Sequence, residues 1–421
     1  MMALLPVWLY LSILYIEPQL WIEPMVGLPV DYAIYPLWLL VVALRGRLSD
    51  VFRFRSQDWF FIGMIAWILV SVVFNPPPSN FPEIFENYLK WFLLYRLTAA
   101  GVDSPDLLQQ VAWVTLILAA VIAVETIQHL ASADGTGWAG QPLAWVDASA
   151  AAIGVERRTR WVGIFDGPGV FCVMFTVALP FAMQFLSTAY ALTTRLLALL
   201  FFLPLIGAGI FSTGSRGGFL TAIAIVGFWI LSRFRLSFGK VVLACAIAAA
   251  GVMLGPTYLT STKDSSNSAQ HRVDMWVEGI EMVQQSPAVG IGKGNFVKYT
   301  GLLIAHNSAI EIMGETGLIG LFMWFGITYA GFKNLIRRHA ETDDPREREL
   351  LIALGLSLIG YMVSSLFVTL EYETLYFVLG LTAAVRNWAK FDIVLEAADF
   401  KIIATIIVAY FVFVKGFAMM Y

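Results

Sequence analysis

The chain has 421 residues, of which 59% are hydrophobic and 14% charged, with a formal net charge of −3 and a mean hydropathy of +0.74. A soluble globular domain carries about 25% charge, so this composition excludes one, and the near-neutral balance says nothing about partners. Apolar runs of roughly 17–25 residues, the length that crosses a bilayer as a helix, recur along almost the whole chain.

The first run, MMALLPVWLYLSILYIE, has no basic stretch before it and no small-residue cleavage site, and reads as a retained helix over 3–17. Further spans are predicted at 30–44, 58–74, 83–97, 106–128, 168–190, 195–212, 217–232, 240–257, 310–332, 349–369, 372–386 and 400–420. The expectation is therefore an all-α polytopic membrane protein, a single integral domain over 1–421, with about 12 to 13 transmembrane helices. Cys172 and Cys245 both fall inside apolar runs, so neither a disulfide framework nor a cysteine metal site is expected.

Alternate loops carry most of the 27 basic residues, among them Arg45, Arg47, Arg96, Arg233, Lys333, Arg337 and Arg386. The positive-inside bias makes that side cytoplasmic. Against the bias, the opposite side holds Arg157, Arg158, Arg160, Arg216, Lys263, Arg272, Lys293 and Lys298. All of these lie in three outer connections, at 129–167, 213–216 and 258–309. Each connection leads into a helix running inward, whose N-terminus presents unpaired N–H groups and the positive end of its dipole. Arginines at three such ends make an anion site. The third connection reads as a periplasmic loop with an interfacial helix, inserted between transmembrane helices.

In ERRTRWVGIFDGPGVF, the Asp-Gly-Pro-Gly turn with Pro168 at a first helical turn brings Arg160 to a helix start. Arg157 and Arg158 read as interfacial anchors, with Trp161 at the headgroup level. In FSTGSRGGFL only a few residues join two apolar spans, which puts Arg216 at the outer rim with Ser212 or Ser215 free to cap. An arginine there is costly, and is either functional or held in an ion pair. In HRVDMWVEGIEMVQQSPAVGIGKGNF, Val273, Trp276, Val277, Ile280 and Val283 follow helical spacing behind Arg272. Ser286 and Pro287 end that helix, and Gly290, Gly292 and Gly294 free the next loop to expose backbone N–H groups.

The fourth motif, HNSAIEIMGETGLIG from His306 to Gly320, turns from a polar stretch into an apolar helix. His306 is the one histidine placed at such a junction, where it can take or give a proton near neutral pH. The same His-Asn-Ser run also reads as a helix cap. Of the two carboxylates further along, Glu315 reads as buried and orienting, and Glu311 as a weaker candidate for either role.

The outer face of a bacterial-type inner membrane offers no ATP and no nucleotide sugars, so synthesis there needs a donor already activated on a lipid. Polyprenyl diphosphate sugars meet that need, and arginine is the side chain best shaped for their phosphate oxygens. A general base for the acceptor hydroxyl is also required, and His306 is the candidate. No metal or other cofactor is expected: the acidic pair Asp343 and Asp344 falls in a cytoplasmic loop, and the outer loops lack a carboxylate cluster for Mg²⁺ or Mn²⁺.

Arg160 with GIFDGPG, SRGG around Arg216, the Arg272 to Trp276 segment followed by SPAVGIGKGNF, and HN with ETGLIG from His306 resemble the O-antigen ligase and polysaccharide polymerase superfamily. The resemblance implies a helical glycosyltransferase fold of about twelve membrane helices and an inverting, metal-independent transfer from an undecaprenyl-diphosphate-linked glycan. It implies that Arg216 and Arg272 grip the diphosphate, with Arg160 beside them, and that His306 activates the acceptor or supports the site, with Asn307, Glu311 and Glu315 in supporting places. Two features depart from the family pattern: Asp-Gly-Pro-Gly stands where Asp-Pro-Asn is common, and a thirteenth helix at 400–420 reads as peripheral. The motifs leave the acceptor open between lipid A core (a ligase), a growing glycan (an O-antigen or exopolysaccharide polymerase) and a protein. A transporter of lipid-linked glycans is the reading from another class. It would line a central cavity with mid-membrane charge, whereas here such residues are few and the basic ones crowd one face.

Overall fold

The computed structural model describes residues 4–145, 157–233, 265–301 and 303–418. In chain order the longer helices are α1 (Leu5–Ile16), α2 (Val30–Leu44), α3 (Ser56–Phe74), α4 (Phe81–Gly101), α5 (Pro105–Ala131), α6 (Pro168–Met183), α7 (Leu192–Ser212, with a π-turn at Ala198–Phe202), α8 (Arg216–Arg233), α9 (Ser265–Gln285), α10 (Ser308–Glu341), α11 (Pro345–Ser364), α12 (Glu373–Trp388) and α13 (Ala397–Ala418). Among the described residues, strand is confined to two antiparallel dipeptides, β1 (Ala144–Trp145) and β2 (Arg157–Arg158). Among the described residues seven helices are long and apolar enough to cross a membrane, and shorter apolar helices accompany them. The protein is thus an all-α polytopic membrane protein. The span expected at 240–257 lies outside the described residues.

The chain forms two compact units: Met1–Arg47, Gly101–Ser261 and His339–Ser364 make the first, and Leu48–Ala100, Thr262–Arg338 and Ser365–Tyr421 the second. The core of the first is α6, whose apolar window is 83% buried against 28% for α7. A helix apolar all round is buried by its neighbours, and α5, α7, α8 and α11 pack around this one. Small residues set the closest approaches. A Cβ on Gly218 of α8 would lie 2.2 Å from Cys172 Sγ, and one on Gly209 of α7 2.6 Å from the Phe175 ring. The Ser357 hydroxyl of α11 donates to the Val177 carbonyl of α6 at 2.8 Å, and Arg233 of α8 pairs with Glu349 of α11.

In the second unit, Asp58 near the start of α3 is fully buried and gathers three helices. Its carboxylate accepts from Tyr95 at 2.6 Å, pairs with Arg96 of α4 at 2.7 Å and with Arg386 of α12 at 2.6 Å, and accepts from the Arg55 amide. Removing one partner from such a buried ionic cluster leaves an uncompensated charge, which costs about 3–5 kcal/mol.

The sequence reading gives 310–332 as an uninterrupted span. Instead α10 is broken at Gly317, which sits at φ 67°, ψ −172°. The break releases backbone groups that hydrocarbon cannot satisfy, and the protein supplies partners for each. Ile291 N donates to Gly314 O, Gly292 N to Glu315 O, and Trp67 Nε1 to Thr316 O, while Leu318 N donates to Pro287 O. The Gly-rich loop is therefore a plug for a broken helix. A Cβ at Gly317 would lie 2.2 Å from the Ala288 carbonyl oxygen. Gly317→Ala should destabilise the protein by at least about 1–3 kcal/mol, the cost of a strained backbone alone, seen as a lower unfolding temperature in detergent. An unchanged unfolding temperature would show that the break is not under this constraint.

Candidate functional site

In the first unit, the segment after β2 runs alongside the α7–α8 hairpin. Thr159 N donates to Ser212 O at 3.0 Å and the Thr159 and Ser212 hydroxyls bond at 3.3 Å. The Arg158 stem lies over Gly214, where a Cβ would come within 2.8 Å of its Cγ. Arg216 opens α8 half-buried, and Ser215 is the cap, its hydroxyl accepting from Gly218 N at 3.1 Å. Ser212, the other capping candidate, instead donates to Gly209 O. Arg160 Nη1 pairs at 2.7 Å with Asp166, two residues before the Pro168 start of α6, and Nε donates to Pro142 O at 2.9 Å. This unit thus collects Arg158, Arg160 and the hairpin bearing Arg216 around three helix ends.

Trp161 departs from expectation. It is fully buried, edge-on to Trp21 at 6.0 Å, and is a core residue where a headgroup-level anchor was predicted. Beside the same hairpin, α5 and α7 leave an apolar cleft of about 560 Å³, lined by Ile127, Leu130, Ala131, Gly207, Ala208, Phe211 and Ser212.

In the second unit, Arg272 lies in the first half of α9 and His306 sits two residues before α10, in a left-handed conformation at φ 50°. Both are half-buried. Burial first, and then the positive charge of Arg272, hold the His306 imidazole below its usual 6.5, so at neutral pH it is uncharged and has a lone pair available. Asn307 is the N-cap of α10. Its Oδ1 accepts from Ala309 N, Ile310 N and the Tyr410 hydroxyl, and its Nδ2 donates to Leu366 O. Because Tyr410 belongs to α13, the last helix is not peripheral: it contacts the cap that sets the backbone next to His306.

Two expectations for the third outer connection fail. The glycine-rich loop does not offer its N–H groups to a ligand. Ile291 and Gly292 donate to the broken helix, Lys293 N to Ser71 Oγ, and Gly294 and Phe296 to Glu315 Oε1. Nor does Lys293 face an anion site: its ammonium is buried, pairing with Glu315 at 2.7 Å and Glu371 at 2.5 Å. Burial would lower its proton affinity, but Glu315, Glu371 and Glu311 outweigh it and hold the lysine charged. Glu315 is buried and its Oε1 accepts from the Gly294 and Phe296 amides, while Glu311 accepts from Thr369 at 2.9 Å. Glu371, which also accepts from Tyr88, went unnoticed in the sequence. Its signal was a carboxylate at the edge of an apolar span, where charge is expensive. Among the described residues no cluster of His, Cys, Asp or Glu could hold a metal ion.

The architecture is that of a many-helix membrane protein with arginines near helix ends and a histidine beside a helix cap, and comparison with known proteins says what it is similar to. Residues 196–325 match the family described as O-antigen ligase. An O-antigen ligase of Pseudomonas aeruginosa is 23% identical over 307 residues, 70% of this chain and 68% of that protein. The exopolysaccharide production protein ExoQ of Rhizobium meliloti is 23% identical over 380 residues, 83% of this chain and 81% of that one. Over 196–325 the chain is thus similar to the O-antigen ligase family, and along most of its length to one O-antigen ligase and one exopolysaccharide production protein.

The two causes acting on His306 are separable. In Arg272→Gln the imidazole should titrate at higher pH than in the wild type while staying below 6.5, because burial, the larger cause, remains. NMR of histidine-labelled protein in detergent measures this, and an unmoved midpoint would mean that Arg272 does not act on the ring. For stability the sign is fixed: with a lowered folded-state pKa, the unfolded chain takes the proton first, so His306 costs stability as pH falls through 6.5.

Proposed function

We propose that the protein is a glycosyltransferase that moves a glycan from undecaprenyl diphosphate to an acceptor at the periplasmic face of a bacterial inner membrane, inverting and without a metal. The observation that carries this reading is placement. The family match over 196–325 takes in Arg216 at the start of α8, Arg272 in the first half of α9 and His306 just before α10, in connections that the charge pattern of the sequence assigns to the outer side. Arg216 and Arg272, joined by Arg160, would hold the diphosphate by charge-assisted hydrogen bonds, and the apolar cleft beside the Arg216 hairpin suits part of the polyprenyl chain. His306, neutral at rest, takes the proton of the acceptor hydroxyl as its oxygen attacks the anomeric carbon and the bond to the diphosphate oxygen breaks. Asn307 orients His306 through the cap, Glu315 holds the segment preceding it, and Glu311 lines the same helix start. The loop around 258–309, with its interfacial helix, would bring Arg272 and His306 to the donor.

The P. aeruginosa relative favours lipid A core as acceptor and a place in lipopolysaccharide synthesis, whereas the R. meliloti relative favours a growing polysaccharide; a protein acceptor would use the same donor. In a deletion strain, loss of all capped O-chains supports the ligase, and cores bearing a single repeat support the polymerase.

Purified protein given undecaprenyl-diphosphate glycan and acceptor should form product without ATP; failure to do so, with transport of the lipid retained, would replace the enzyme by a transporter. Arg216→Ala and Arg272→Ala should each cost more than about 10²-fold in kcat/KM, as loss of a transition-state charge donor does, and full activity in either removes that residue from the site. His306→Ala should lower kcat by about 10²- to 10⁴-fold, the range of general-base catalysis, with donor affinity kept; collapse of donor affinity would make the histidine a binding residue. A side chain added at Gly207 meets nothing within 4 Å, so Gly207→Leu should fold normally yet raise the donor KM severalfold by occupying the cleft.

A further inference from the structure

Arg160 is steadied by its bond to Pro142 O, and the residue before Pro142 leads back into the helix bundle of the first unit. The turn from Gly135 to Leu143 closes on itself, with Gly137 N donating to Gln141 O, Gly140 N to Gly137 O and Leu143 N to Gly135 O. This turns the Gln141 side chain inward, where its Nε2 donates to Oε1 of Glu125 on α5 at 2.7 Å. Trp138 N approaches the same oxygen at 3.4 Å. The fit is close: a Cβ on Gly137 would lie 2.3 Å from Glu125 Oε1.

One helical turn on from Glu125 stands His129, and both are wholly enclosed, at 0% and 1% exposure. Two of their atoms have no hydrogen-bond partner, Glu125 Oε2 and His129 Nδ1. The His129 Nε2 lies 3.3 Å from the Gly135 carbonyl, which can only accept, so that nitrogen carries hydrogen. Nδ1 then stands 3.7 Å from the Glu125 carboxylate as a lone pair or as the second N–H of an imidazolium. A bare carboxylate beside a neutral ring leaves both atoms orphaned in a dry site, at the full desolvation cost. One proton on the carboxyl group removes the buried charge, and at 3.7 Å from Nδ1 to Oε1 the two groups stand beyond hydrogen-bond reach of each other. The charged side chains acting on the pair are Arg160 and Asp134, both through His129, while Arg157 donates to the Leu130 and Ser132 carbonyls at the end of α5.

We propose that Glu125 is a positioning residue for Arg160: by accepting from Gln141 it fixes the turn 135–143 from below and so aims the guanidinium at the donor diphosphate. The inference rests on the reading of Arg160 as a diphosphate ligand. It is tested on the full chain in nanodiscs by the affinity for undecaprenyl diphosphate in Arg160→Ala, Glu125→Leu, Glu125→Gln, Gln141→Ala and the Glu125→Leu/Arg160→Ala double variant.

Arg160→Ala should weaken binding by about tenfold or more, as loss of a charge-assisted contact does. Glu125→Leu should match it, and the double variant should be no weaker than either, because both changes remove one contact. Gln141→Ala cuts the same link from the turn side and should bind like Glu125→Leu, which keeps the test open if the latter does not fold. Glu125→Gln should bind within about twofold of wild type, since its amide oxygen can still accept from Gln141. Wild-type affinity in Glu125→Leu or Gln141→Ala, with a lowered unfolding temperature alone, would overturn the proposal and make the cluster purely structural. Wild-type affinity in Arg160→Ala would instead remove the reading of Arg160, and the proposal with it.

Discussion

Hydrocarbon offers no hydrogen bonds, and that constraint shapes this chain most where a helix is interrupted. At Gly317 the ladder of α10 opens, and a loop with three glycines, an indole and one amide further along close it again. The same loop delivers Lys293 into a pocket with Glu315 and Glu371, so one ion-paired plug holds α10, the connection after α9 and the segment before α12 together. The start of α10, where His306 and its cap Asn307 sit, is fixed from the side of the break as well as from its own N-terminus.

Both units use buried charge, to different ends. Asp58 is met from several sides by Arg96, Arg386, Tyr95 and the Arg55 amide, and acts as a knot between helices. Glu125 instead accepts from the loop side chain of Gln141, which suits a joint whose task is to hold a loop in one place. In either case the cost of taking charge out of water is met by partners, and the geometry of those partners fixes where the nearby backbone runs.

The architecture was legible because membrane helices announce themselves: a run such as 106–128 has one reading in a bilayer, and the helix found there is Pro105–Ala131. Helix starts were legible too, since Pro168, Ser215 and Asn307 carry the chemistry that starts require. What escaped was how side chains are spent. Glycines at 290, 292 and 294 look alike whether they cradle an anion or fill a broken helix, and only the glycine at 317, with its positive φ, separates the two. Lys293 looks like an outer cation until the two distant carboxylates that surround it are known. Trp161 has the composition of an interfacial anchor and the position of a core residue. Arg160, Arg216 and Arg272 stand out in the sequence because they run against the positive-inside pattern of the loops, and His306 because it opens an apolar span. Glu125 was passed over because a lone carboxylate near a helix end is not.

The hydroxyl of Tyr410 on the Asn307 side chain has a practical meaning for anyone handling this chain. A segment that could be trimmed as a tail, or loaded with a reporter, is clipped to the residue next to the imidazole. A version cut before Tyr410 loses one of the bonds that hold the Asn307 side chain at the start of α10.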